Sequence, residues 1–360
     1  MSKIEELIQK LCPNGVEYKD LEDVCNFRRG TTITAKNAVE GDVPVIAGGQ
    51  TPAYYHNQSN REGETIVVAG SGAYAGYVSF WEVPIFVSDA FSVEPKSKDL
   101  IKKYVFYYLK NNQQKIFSTQ KGSGVPHVHG SSIAKFSIPF PPVEVQEEIV
   151  RILDKFTTLS EKLNAELELR KKQYEYYRER LISSTRNCES IKLGDLCKIQ
   201  RGVRVVKKQL EESGEYPVYQ NSLEPLGFYD KSNYPANTSF IICGGAAGSI
   251  GFSNVDFWAA DDCFCFISSD NLNDKYLFYV LKANQRYFDS RVRKAGVPRL
   301  SRNSIENFEM ALPPLLEQER IVSILDKFDS LINDQEKGLP AEIRKVQQQY
   351  EYYRDKLLTF

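Results

Sequence analysis

Apolar side chains recur at alternating steps of four and three along two stretches of this chain. In the first, Ile149, Leu153, Phe156, Ser160, Leu163, Leu167, Arg170, Tyr174, Tyr177 and Leu181 keep that spacing, and eight of the ten are apolar or aromatic. In the second the series runs Ile321, Leu325, Phe328, Ile332, Gln335, Leu339, Ile343, Val346, Tyr350, Tyr353 and Leu357. Such spacing holds one stripe on one face of an α-helix, and it predicts two long helices whose seams need another helix to cover them. The second series takes two consecutive steps of four at Gln335, Leu339 and Ile343, a stutter that locally unwinds a supercoil. Gly338 and Pro340 stand inside it. The second helix is therefore expected to break there and to restart with Pro340 in its first turn.

Upstream of each helix the pattern changes. Short β-rich runs such as Thr65 to Ala69 and Phe240 to Cys243 sit among Gly, Asn and Pro turns, with one helix expected near residues 100–117 or 274–288. The halves are copies. PPVEVQEEIVRILDKF at residues 141–156 matches PPLLEQERIVSILDKF at 313–328 in 11 of 16 positions, an offset of 172. At the same offset Arg29-Gly30 matches Arg201-Gly202 and Gly124-Val125-Pro126 matches Gly296-Val297-Pro298, while QYEYYR from Gln173 recurs from Gln349 at an offset of 176. The order predicts an α/β fold in which two β-rich globular domains, residues 1–143 and 187–315, stand in a pseudo-twofold arrangement. Two long antiparallel coiled-coil helices, 144–186 and 316–360, are expected to separate them, because the second domain must bring the chain back. Two independent dimerisation coils are the alternative, since heptads do not name their partner.

Overall charge argues against a nucleic-acid partner: 46 Lys and Arg stand against 47 Asp and Glu, with a pI near 6.4. Its distribution argues the other way. No acidic residue lies between Leu100 and Val143, where Lys102, Lys103, Lys110, Lys115, Lys121 and Lys135 fall. The second copy repeats this with Lys275, Lys282, Arg286, Arg291, Arg293, Lys294, Arg299 and Arg302, against Asp289 as the one acid from Lys275 to Ile305. A solvated helix face would carry such charge too, but recurrence at equivalent places in diverging copies favours phosphate neutralisation. The loops that follow, KGSGVPHVHG from Lys121 and KAGVPRLSR from Lys294, share Gly-Val-Pro and differ just beyond it. His127 and His129 in one copy face Arg299 and Ser301 in the other. Donors of different reach on one scaffold suit different base edges, while the histidines read equally well as a polar loop pair without a role. Arg28 and Arg29, with Arg201, Arg204, Lys207 and Lys208, mark a second surface. There the glycine beside the arginine would let backbone approach a phosphate.

Other chemistry is missing. Seven scattered cysteines form no CxxC pair, and none of the three histidines has a second ligand type at metal spacing, so neither a disulfide framework nor a metal centre is expected. No run of about 18 apolar residues exists, and the charged start from Met1 to Leu11 is no signal sequence, which predicts a cytoplasmic location. The glycine clusters at 69–76 and 243–251 lead into strand-like sequence, not into a helix, so they are expected to be turns and not phosphate-binding loops. The Pro-Pro pairs at 141–142 and 313–314 lack the Asn or Asp that would hold an adenine amino group, and they read as punctuation ahead of a helix. Asp261-Asp262, answered by Asp89 alone, reads as a turn or cap. No catalytic residue and no cofactor is expected in this chain.

PPLLEQERIVSILDKF followed by GLPAEI and QYEYYRDKLLTF resembles the conserved regions of type I restriction–modification specificity subunits. The Gly-Val-Pro loops are similar to those of their target-recognition domains, and the resemblance covers nearly the whole chain. It implies that each domain reads one half of a bipartite site in double-stranded DNA, across an unread spacer. It also implies that the conserved helices dock two methyltransferase (modification) subunits, which bring S-adenosylmethionine and methylate adenines. ATP- and magnesium-dependent motor–nuclease (restriction) subunits would join them for cleavage. Gln146, Tyr176, Tyr177, Gln318, Arg320, Tyr352 and Tyr353 are expected to face partners, although the tyrosines would also serve to widen the helical core. Val145 stands where the second copy has Glu317, and Glu148 where it has Arg320, so the two sides are expected to differ in detail. A stand-alone DNA-modifying enzyme and a duplicated protein-binding scaffold remain as alternatives.

Overall fold

The computed structural model describes residues 3–122, 124–185 and 188–360. In chain order the first half carries α1 (Lys3–Leu11), β1 (Tyr18–Asp20), α2 (Leu21–Val24), β2 (Cys25–Arg29), β3 (Val43–Ile46), β4 (Tyr54–His56), β5 (Thr65–Ala69), β6 (Val78–Trp81), β7 (Phe86–Val87) and β8 (Ala90–Pro95). Then follow α3 (Lys102–Asn111), α4 (Gln113–Phe117), α5 (Gly130–Ile133), β9 (Ser137–Pro139) and the 42-residue α6 (Val143–Ser184). The second half repeats the series with β10 (Ser190–Lys192), α7 (Leu193–Leu196), β11 (Cys197–Arg201), β12 (Tyr216–Tyr219), β13 (Gly227–Tyr229), β14 (Thr238–Ile242), β15 (Ile250–Ser253), β16 (Trp258–Ala259) and β17 (Cys263–Ser268). It closes with α8 (Asp274–Ala283), α9 (Gln285–Asp289), α10 (Arg302–Glu306), β18 (Glu309–Ala311), α11 (Leu315–Asn333) and α12 (Leu339–Leu357).

The chain forms two compact units, residues 1–164 with 342–360, and residues 165–341. Each is α/β. The first holds a four-stranded antiparallel sheet ordered β2-β8-β5-β6 and a three-stranded sheet β4-β3-β7. The second repeats both as β11-β17-β14-β15 and β13-β12-β16. Even the parallel pairing recurs, β3 with β7 and β12 with β16. The five residues of β5 are all buried, as are those of β14. That burial follows from their central place and the apolar runs TIVVA and TSFII.

Each core is completed by pieces of the long helices. In the first unit, α6 contributes Ile149 and Leu153 while α12 contributes Leu357, beside Tyr104, Val105 and Leu109 of α3. Phe156 stacks on Tyr353 with ring centroids 5.5 Å apart, and Asn164 shares a cavity wall with Gln347, so α6 and α12 run antiparallel there. In the second unit Tyr174, Ile321, Leu325 and Ile332 join Tyr276 and Leu277 of α8, and Tyr177 stacks on Phe328 at 5.6 Å. All ten positions of the first seam are buried or half-buried, whereas Leu159 and Leu169, off the seam, are exposed. Helical turns end at Asn333 and resume at Leu339, with Pro340 in the first turn of α12.

The single helix expected near residues 100–117 is two, α3 and α4, and its copy is likewise α8 and α9. Asn112 and Asn284 lie between them, and each side-chain amide donates to the carbonyl four residues back, at 2.9 and 2.8 Å. An asparagine that satisfies the helix's last carbonyls locally ends it, which apolar periodicity does not register. The glycine clusters form the connections between antiparallel β5 and β6 and between β14 and β15, with Gly72, Gly76, Gly245 and Gly248 at positive φ. Six of the seven cysteines are buried free thiols, and burial pushes Cys25 and Cys197 up to about 12.

Candidate nucleic-acid interface

Three segments distant in sequence meet in each unit. In the first, the Gly-Val-Pro loop closes on itself through paired backbone bonds between Lys121 and His127, at 2.9 and 2.8 Å. It is then stitched to the β5–β6 turn, Gly72 N donating to Pro126 O and Val128 N to Gly70 O, both at 3.0 Å. Arg29 at the end of β2 and Asp89 at the head of β8 complete the group. Arg29, Asp89, His127 and His129 line one cavity of about 210 Å³, and the two imidazoles lie parallel, 6.5 Å apart. Ser71 donates to the Asp89 carboxylate.

The second unit builds the same frame with other side chains. Arg293 and Arg299 exchange backbone bonds at 2.9 and 3.1 Å, Gly245 N donates to Pro298 O, and Leu300 N donates to Cys243 O. Arg299 reaches Asp262 at 2.7 Å, and Arg201 donates to the carbonyl of Asp261 at 2.6 Å. Arg201, Arg204, Lys207, Lys208, Arg293, Lys294 and Arg299 are all exposed. Such a stitched loop holds its tip at fixed geometry, which base recognition requires.

The helical part of each basic stretch is different from what charge alone suggested. Lys102 pairs with Glu94 at 2.8 Å and donates to the carbonyl of Glu64, and Lys103 pairs with Asp154 and Glu82. Lys110 lies 4.0 Å over the Tyr77 ring, donates to Val78 O, and is pushed down by burial. The expected exposed basic face on α3 is thereby corrected: Lys102 holds the helix to β8, Lys110 to β6, and Lys103 to α6 and the residue after β6. Lys115 and Lys121 beyond it are exposed, as are Arg28, Arg29, His127 and His129. In the copy, Lys282 is likewise half-buried and Arg302 pairs with Glu306, while Arg286 is exposed and Arg291 packs its guanidinium 3.4 Å over Tyr287.

The glycine of each Arg-Gly pair also has another role than backbone approach to a phosphate. A Cβ on Gly30 would stand 2.2 Å from Ser88 O, and one on Gly202 2.2 Å from Ala260 O, so the glycines admit a neighbouring strand end. Two of the expected partner-facing residues are excluded from any surface. Gln146 and Gln318 are fully buried. Gln146 accepts from Ile101 N and donates to Asp99 O and Pro141 O, while Gln318 does the same with Asn273 N, Asn271 O and Pro313 O. Each fastens the start of a long helix to the segment ahead of α3 or α8. Tyr176, Tyr352 and Tyr353 are exposed, Tyr353 while stacking on the facing helix, half-buried Tyr177 stacks likewise, and Arg320 is exposed beside Glu317 at 2.7 Å. Glu148, in the place of Arg320, is instead buried against Lys3 of α1 and against Arg151. Residues Ser71, Asp89, Gly244 and Asp262 escaped sequence reasoning as site residues. Their signal is an aspartate just ahead of a strand in both copies, which becomes meaningful only when that strand is seen beside the loop.

Among the described residues no helix is long and apolar enough to cross a membrane. The family described as the type I restriction modification DNA specificity domain matches the chain twice, at residues 13–169 and 185–345. A Haemophilus influenzae chain provisionally named a type I restriction enzyme specificity subunit is 31% identical over 96% of both chains. The specificity subunit of the Escherichia coli type I restriction enzymes EcoR124I and EcoR124II is 29% identical over 100% of this chain and 97% of its own. In fold, the chain is similar to the crystal structure of a type I restriction–modification S subunit from M. genitalium, with a TM-score of 0.72, 18% identity and coverage of 96% and 97%.

Proposed function

The chain belongs to the type I restriction–modification DNA specificity family, and from that premise we propose that its two domains each read one half of a bipartite site in double-stranded DNA. One observation carries this reading: the same loop, turn and strand ends meet twice, and the copies differ where side chains leave the shared backbone, at His127 and His129 against Arg299 and Ser301. Repetition of the frame gives equivalent docking on a duplex, and divergence of the tips gives different bases. Arg28, Arg29, Lys115 and Lys121 in the first domain supply phosphate contacts, as do Arg201, Arg204, Lys207, Lys208, Arg286, Arg293 and Lys294 in the second.

Catalysis falls to other subunits. Exposed Tyr352 in the first unit, and exposed Tyr176 and Arg320 in the second, each offer a surface on which a methyltransferase subunit docks, bringing S-adenosylmethionine for adenine methylation. Motor–nuclease subunits supply ATP- and magnesium-dependent cleavage. The test is a domain exchange: replacing residues 13–140 with the corresponding domain of another family member, then mapping the methylated motif. One changed half beside one unchanged half supports the proposal. Changes in both halves, or methylation by the purified chain without added subunits, oppose it.

A further inference from the structure

One aspartate holds the same backbone position in both domains and is partnered differently. Gly70 N donates to Asp89 O at 3.0 Å, and Cys243 N to Asp262 O at 2.7 Å. Beyond that shared backbone the side chains part. The Asp89 carboxylate takes the Ser71 hydroxyl, whereas the Asp262 carboxylate takes the Arg299 guanidinium at 2.7 Å. Ser71 and Gly244 are the corresponding positions, for Ser71 bridges to His127 as Gly244 bridges to Arg299. A Cβ on Gly244 would stand 2.5 Å from Asp262 Oδ1 and 2.8 Å from the guanidinium. Glycine there is therefore what admits the ion pair.

The pair has a direction. The Asp262 side chain is 18% exposed and that of Arg299 44%, so the carboxylate lies beneath and the guanidinium above. With one terminal nitrogen held, the planar group keeps further N–H donors free, and the doubly stitched loop denies it other positions. A fork fixed in this way matches the O6 and N7 acceptors of guanine in the major groove, while an untethered arginine would settle on phosphates without preference.

We propose that Asp262 is a positioning residue that aims Arg299 at a guanine in the half-site read by the second domain. Gly244, Asp262 and Arg299 then form that domain's specificity set, answering Ser71, Asp89 and His127 in the first. This rests on the DNA-reading function proposed above. In the test, the full chain assembled with its methyltransferase subunits is titrated against its methylation motif and against duplexes with each base pair of the second half-site changed. The wild-type complex discriminates at one G·C pair there by roughly ten- to hundredfold. D262A and R299K lose that step at that pair alone, and D262N, which keeps an acceptor oxygen, retains part of it. Intact discrimination across the first half-site in the same samples reports that the variants are folded. Wild-type selectivity in D262A or R299K overturns the assignment, as does a second half-site without a G·C pair. Uniform weakening on every duplex, with a log–log salt slope lowered by about 0.9, marks a phosphate contact and overturns it too. A wild-type complex that binds all duplexes alike defeats the DNA-reading function itself, and the assignment with it.

Discussion

The Tyr107 hydroxyl donates a 2.5 Å hydrogen bond to the Asp154 carboxylate, and Tyr279 makes the same bond to Asp326 in the second unit. Each joins a domain helix, α3 or α8, to the long helix that follows the Pro-Pro pair. Burial and the neighbouring carboxylate push both phenols well above their ordinary range, so they remain donors at any physiological pH. Removing the hydroxyl in Tyr107→Phe keeps the ring and leaves Asp154 with Lys103 as its remaining side-chain ion partner. A loss of about 1–2 kcal/mol is expected, a bond to a charged group discounted for the partly exposed carboxylate. Urea unfolding of the variant measures it, and an unchanged midpoint counts against the clamp.

Gln146→Ala distinguishes a clamp from a docking residue. It leaves one backbone N–H and two carbonyls near the start of α6 without their side-chain partner. A destabilisation on the order of 3 kcal/mol is expected. Affinity of the folded variant for the proposed methyltransferase partners, measured below the unfolding transition, should stay at the wild-type level.

Acid sensitivity should trace to Glu148. Hydrogen bonding to Arg151, reinforced by Lys3, holds its carboxyl down at about 2 against an ordinary 4.5. The unfolded chain binds this proton first. The stabilisation is therefore complete above about pH 4.5 and is lost progressively as pH falls toward about 2. Glu148→Gln should remove this component, so that the denaturation midpoint falls less steeply over that window than in the wild type.

Salt dependence of DNA binding should sort the lysines by geometry. Lys115→Gln and Lys121→Gln each lower the log–log slope by about 0.9 if each neutralises one phosphate. Lys102→Gln and Lys110→Gln should leave that slope unchanged and lower stability instead, since their ammonium groups are already engaged by Glu94 and by Tyr77. The opposite sorting would return the basic face to α3.

Much of the architecture is local in origin and could be read from residue order. The heptad seams, the interruption before Pro340, the turns at the glycine clusters and the duplication itself depend on spacing along one chain, which sequence carries directly. The basic stretches and Gly-Val-Pro loops were legible for the same reason. What sequence could not supply is which charges are already spent. Lys102 and Lys110 look free in a run without acids, yet their partners lie outside that run, Glu94 upstream of Lys102 and Tyr77 and Val78 upstream of Lys110. Gln146 and Gln318 look like surface polar residues on a helix, yet each is buried by a segment more than forty residues upstream. The aspartate beneath each Gly-Val-Pro loop shows the limit most sharply. Asp89 and Asp262 precede strands in both copies, but only β-sheet pairing brings those strand ends under loops some 37 residues later, and only there does Ser71 or Arg299 become the partner. Spacing along the chain decides helices and turns. Satisfaction of buried hydrogen bonds and charges is decided by whichever groups the tertiary fold brings within about 3 Å.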